Sequence, residues 1–135
     1  MSKEDAPIVI PSSHLINTPC EQFDGTKYGI CTWHTLISKD RTKSSNHMAC
    51  GLGVCPPKVG ILCAHRHLQA EIYHILEGEG TVTIDKVDYK VDKGATVYIP
   101  GDSEHGIKND SDVDDLKWFY VFPTASFSDV IYRFS

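Results

Sequence analysis

No stretch of this sequence is apolar for long enough to cross a membrane, and no cluster of Lys and Arg offers a surface to nucleic acid. Acidic residues outnumber basic ones, 18 against 13, for a formal charge of -5 with neutral histidines. An acidic substrate is still allowed, because a bound metal or one local cation can hold it. The opening MSKEDAPIVIP places acidic side chains where a secretory leader carries basic ones, and its apolar run stops at Pro11. The five cysteines (Cys20, Cys31, Cys50, Cys55 and Cys63) are odd in number and lack the paired spacing of a zinc knuckle. Free thiols in a reducing compartment, the cytosol, are therefore expected. No window of helical length carries an amphipathic stripe, and neither an internal repeat nor a low-complexity segment occurs.

What is present is strand. At 135 residues the chain has room for one domain with its own core, and too little for two. Residues 1–26, punctuated by Pro7, Pro11, Pro19 and Gly25, are expected to form an irregular N-terminal arm. Such an arm covers a sheet edge or packs on a partner. Residues 27–135 are expected to form the domain proper. There YGICTWHTLI and NHMACGLGVCP read as strands separated by a turn at RTKSSN. Beyond Pro57 the strand candidates are GILCAHRH, EIYHILEG, GTVTIDKVDYKV, GATVYIP, HGIKN, LKWFYVFP and DVIYRF. Turns are expected at Glu77–Gly80, Asp92–Gly94, Pro100–Asp102 and Asn109–Asp115. Many short strands with regular turns predict an all-β, single-domain antiparallel sandwich or barrel.

The chemistry is concentrated in AHRHLQAEIYHILEGEG, residues 64–80. Alternate residues of a strand face the same way, so Cys63, His65 and His67 are expected on one face. After the turn at LQA, Glu71 and Tyr73 share a face as well. Burying two imidazoles and a carboxylate without partners is costly, and a metal ion removes much of that cost. His105, just past a Pro–Gly turn, supplies a third nitrogen. The set His65, His67, Glu71 and His105 suits Fe(II), Mn(II), Ni(II), Zn(II) or Co(II), with open positions at a five- or six-coordinate ion. Satisfied surface histidines would explain an isolated His-x-His pair, but not this pair with Glu71 and His105 in step. Tyr73 reads equally well as barrel lining. His74 has the opposite parity and is expected outside the pocket, whereas His34 either reaches the pocket or caps a strand edge. Trp33, Phe119, Tyr120, Phe127 and Tyr132 are core candidates, one or two of which would line a site for a cationic substrate.

These residues resemble the two motifs of the cupins. His65, His67, Glu71 and Gly78 stand at the spacing of the first motif, and Gly94, Pro100, His105 and Asn109 at that of the second. Two positions depart from the pattern. Val59 stands where the first motif opens on glycine, and Asp102 where the second has its turn glycine. The fold implied is a cupin, a double-stranded β-helix or jelly-roll barrel. A closer likeness is to the cupin-type dimethylsulfoniopropionate lyases, carried by residues 65–75, 97–109 and the tail FYVFPTASFSDVIY. That resemblance implies His65, His67, Glu71 and His105 as ligands of a divalent ion, Fe(II) or Mn(II) first, with Tyr73 and Tyr132 in catalytic places. It implies β-elimination from a small-molecule carboxylate substrate, giving acrylate and dimethyl sulfide. Small cupins also resemble proteins that pair sheet on sheet, so a homodimer is expected. The same ligand set serves an Fe(II)-dependent dioxygenase, a metal-dependent isomerase or cyclase, or a non-catalytic binding protein.

Overall fold

Strict alternation of inward and outward side chains organises the molecule, most clearly in β4 (Ala49–Cys55) and β11 (Leu116–Phe122). Both show inward residues at every second position, as a strand with one buried face must. The computed structural model describes residues 5–135, so residues 1–4 of the expected arm lie outside the described residues. The described strands form two antiparallel sheets. The first runs β1 (Glu21–Gln22), β3 (Thr32–Ile37), β4, β11, β6 (Glu71–Glu77) and β9 (Thr96–Ile99), in that spatial order. The second runs β12 (Arg133–Phe134), β5 (Ile61–Arg66), β10 (His105–Asn109), β7 (Glu79–Ile84) and β8 (Val87–Asp92). A two-residue strand, β2 (Gly29–Ile30), also pairs with β5. Among the described residues helix is confined to single turns at α1 (His14–Asn17), α2 (Lys39–Thr42) and a 3₁₀ turn, Phe127–Asp129. This is a single-domain, mostly β fold of two sheets, as the resemblance implies. Among the described residues no helix is long and apolar enough to cross a membrane.

Between the sheets lies a core that includes Tyr73, Ile75, Ile99, Ile107, Leu116 and Phe122, each at most 2% exposed. Asn109 fastens the far end. Its side-chain amide donates to the carbonyls of Cys55 (3.0 Å) and Asp114 (2.8 Å), and its Oδ1 accepts from the Ser111 N–H (2.8 Å).

Three expected strands come out differently. YGICTWHTLI does not run through: it breaks at Cys31, where the chain crosses from β2 in one sheet to β3 in the other. GTVTIDKVDYKV is a hairpin, because Asp85 and Lys86 both take positive φ (48° and 69°), the conformation of a two-residue turn. Of DVIYRF only Arg133–Phe134 is strand. The turn expected at RTKSSN begins inside α2. Glu21–Gln22, within the stretch expected to be arm, pairs with Thr32 and Trp33 as β1.

Candidate metal centre

The three histidines reach one point from two strands and a loop. His65 near the end of β5 is the cross-strand partner of His105 at the start of β10. His67 follows β5 directly, and its carbonyl accepts the Asp102 N–H at 2.8 Å, which ties the two loops together. Asp102, standing in the place of the second motif's glycine, takes φ +62°, so the turn keeps its left-handed backbone without the glycine. The candidate ligand atoms of His65, His67 and His105 all lie within 4.8 Å of one another. Glu71, which opens β6, brings Oε1 to 3.2 Å from Nε2 of both His67 and His105. All four side chains are buried.

The hydrogen bonds around this cluster specify what it can hold. Each Nδ1 faces a backbone carbonyl: His65 to Cys63 (2.7 Å), His67 to Gln69 (2.9 Å), His105 to Ser103 (2.8 Å). A carbonyl only accepts, so each Nδ1 donates and each Nε2 is left as the nitrogen that faces the cluster, that of His105 within hydrogen-bond distance of Glu71 Oε1. Nε2 of His65 and of His67 are buried with no hydrogen-bond partner. Lone pairs aimed at one another and at a carboxylate repel unless a cation sits among them. The residues therefore fit a divalent ion, with three nitrogens and one carboxylate as the donor set. Burial pushes the His65 pKa down to about 3, with the neighbouring His105 and then His67 adding to the shift, so this imidazole stays neutral and ready to ligate.

An aromatic cavity of about 90 Å³ adjoins the cluster, with Glu71, Tyr73 and Tyr132 on its wall together with Trp33, Trp118, Tyr120 and Phe127. A water needs about 10–15 Å³ by this measure, so the space takes a small organic molecule and not a polymer. Two glycines of β4, of which Gly53 lines the cavity, let aromatic side chains of β11 come close to the strand. Gly53 pairs with Trp118 and Gly51 with Tyr120, and a Cβ at either position would run into the aromatic side chain lying across it. The indole N–H of Trp33, another residue of this wall, is buried with no partner among the described residues. Burial first, and the Glu71 charge second, push the Tyr73 and Tyr132 phenols well above their ordinary pKa. Tyr132 stacks on His65, with ring centroids 4.4 Å apart and planes at 4°. β12 holds it there, since Phe134 pairs with His65.

Other sequence expectations sort by face. His74 lies outside, with Nδ1 at 2.8 Å from the Thr96 hydroxyl. His34 turns away from the cavity, its Nε2 donating to the Thr18 carbonyl at 3.0 Å. Phe119, opposite in parity to Trp118 and Tyr120, is outside the cavity. Cys63 is only half-buried, because a bulge where β5 meets β10 breaks the alternation: Leu62 and His65 both face inward. Trp118, Phe23 and Gly53 line the cavity without having been singled out. The first and last lie opposite each other in the pairing of β11 with β4, which the sequence alone does not reveal.

Residues 54–122 match the Cupin domain family. Over 119 residues the chain is 37% identical to the dimethylsulfoniopropionate lyase DddW of Ruegeria pomeroyi, covering 88% of this chain and 76% of that protein. Among solved structures, the polyketide cyclase RemF of Streptomyces resistomycificus superposes with a TM-score of 0.72 at 18% identity, over 93% of this chain and 85% of that one. A chain from the crystal structures of the DMSP lyases RdDddP and RnDddQII superposes with a TM-score of 0.66 at 19% identity, over 78% of this chain and 52% of that one. At these identities the two solved structures share the fold.

Proposed function

The chain belongs to the cupin family, and from that premise we propose that it is a metal-dependent lyase. Its substrate would be dimethylsulfoniopropionate or a similar small carboxylate, cleaved by β-elimination to acrylate and dimethyl sulfide. Homology to DddW along most of the chain supports the choice of substrate. The observation that carries the reading is one shared cavity in which Tyr73 and Tyr132 stand beside Glu71.

His65, His67, His105 and Glu71 would hold the ion, Fe(II) or Mn(II) first among those the donor set allows. When bound, the ion supplies Lewis-acid stabilisation of negative charge on the substrate carboxylate. The residues of the chain do the rest. The aromatic walls exclude water and offer ring faces to a sulfonium. Tyr73 is the base that takes the α-proton onto its phenolate oxygen. The electron pair of that C–H bond becomes the new double bond, and the sulfur leaves from the β-carbon with the pair of the broken C–S bond. Burial and the Glu71 charge hold the Tyr73 proton tightly, so positive charge beside Glu71 is a condition of this role. Tyr132, stacked on His65, positions that ring and closes the cavity. We place the chain in the cytosol, a reducing compartment that suits its five free cysteines, and as a homodimer.

The test loads the purified protein with Fe(II) or Mn(II) without oxygen, adds dimethylsulfoniopropionate and follows dimethyl sulfide in the headspace. Metal-dependent release without oxygen is expected. Tight metal binding with no release, or turnover only with oxygen, would replace the lyase by a binding protein or a dioxygenase.

A further inference from the structure

A pair of thiols stands at the cavity edge, apart from the metal centre. Thr32 of β3 pairs with Val54 of β4, and the antiparallel ladder carried one residue further sets Cys31 opposite Cys55. Directly opposed residues have Cα atoms about 4.5–5.5 Å apart, inside the span of about 4.4–6.8 Å that a disulfide requires. Both side chains face the core. Cys55 is fully buried as the last inward residue of β4, and Cys31 is 8% exposed. Both belong to one buried core cluster, and Cys31 alone of the five cysteines also lines the cavity.

We propose that Cys31 and Cys55 are a redox modification site, a reduced pair that a small peroxide entering the cavity converts to an intramolecular disulfide. The Cys31 sulfur attacks one peroxide oxygen and the O–O bond breaks. One oxygen leaves as water, and Cys31 becomes a sulfenic acid. The Cys55 sulfur then displaces that hydroxyl, the S–S bond forms, and a second water leaves. Two thiols are oxidised and one peroxide is reduced, with no further reactant. Cys31 reaches the cavity wall and Cys55 does not, which makes Cys31 the sulfur that meets the peroxide. Because Cys31 is where the chain crosses between sheets, the bond fastens this crossover to β4 and redraws the cavity wall next to Trp33. The site stands whether or not the lyase reading does, since neither thiol is a metal ligand.

The test treats the full chain, carrying Cys20→Ser to remove the exposed thiol, with equimolar hydrogen peroxide and reads intact mass and peptide maps. The expected result is a loss of about 2 Da, two hydrogens, that a dithiol reductant reverses. The bridged peptides should contain Cys31 and Cys55, and Cys31→Ser or Cys55→Ser should each abolish the loss. A bridge through Cys50 or Cys63, oxygen added to Cys31 without a bridge, or no reaction would overturn the proposal. The peptide map of the chain with both thiols intact decides the matter even if a serine variant folds poorly.

Discussion

Tyr132 meets the site in two ways, through a ring that stacks on His65 and through a hydroxyl on the cavity wall. Substitution separates them. Tyr132→Phe keeps the stack, so a chain in which Tyr132 only positions His65 retains turnover within a few-fold. Tyr132→Ala removes the cover and is expected to lose both activity and bound metal, read together by headspace assay and metal analysis. If Phe at this position is as damaging as Ala, the hydroxyl takes part in the chemistry. His65 makes a second prediction through its protonation. Its folded pKa of about 3 lies below imidazole's ordinary 6.5, so the contribution to stability is complete above 6.5. It is lost as the pH falls from there toward 3, where the unfolded chain gains a proton that the folded one refuses. Urea unfolding of the metal-free protein should show this fall, and His65→Gln should make it shallower; equal slopes would contradict the assignment.

The glycines of β4 act at the scale of the strand. Gly51 and Gly53 occupy inward positions that would otherwise carry side chains, and the aromatic residues of β11 lie across them. Gly53→Ala is expected to cost about 1–3 kcal/mol through overpacking against Trp118. It should also raise KM while leaving metal content unchanged, because the metal ligands come from other elements. Loss of metal in this variant would show that cavity and centre are not separable. Much of this architecture was legible in the sequence. Strand-forming runs between turns marked β4, β6 and β11, and the Pro–Gly turn ahead of His105 aimed that ring inward. The crossover at Cys31 was hidden, because β-branched and aromatic residues continue across it and propensity does not register a change of sheet. The bulge that turns Cys63 aside was equally hidden, being set by the pairing of β5 with β10 and not by either strand alone. His65, His67, Glu71 and His105 were readable from their spacing in the sequence, although His65 and His105 meet as cross-strand partners and Glu71 comes from the other sheet. The cavity was not, because its walls come from residues far apart in the chain.

For the whole molecule, the outward face of the first sheet is the surface that a homodimer would cover. Ile72 (41%), Leu76 (37%) and Tyr98 (64%) are exposed there, and Phe119 and Val121 lie between them and Leu52 in the ladder. Sedimentation should find a dimer, and Ile72→Lys should shift it to monomer; a wild-type monomer at micromolar concentration would contradict this. Metal binding should also be visible in global stability, since an ion that binds only the folded chain raises it by about 2.7 kcal/mol at a hundredfold excess over Kd. His105→Ala should remove that increment. The measurement that bears most directly on the central claim compares the wild-type chain with Tyr73→Phe, each loaded with the same metal. It records acrylate formed from dimethylsulfoniopropionate per bound ion. The prediction is equal metal content and a fall in rate of at least about 100-fold, the scale of a lost general base. Equal rates in the two chains would contradict Tyr73 as the base, and no acrylate from either would contradict the lyase.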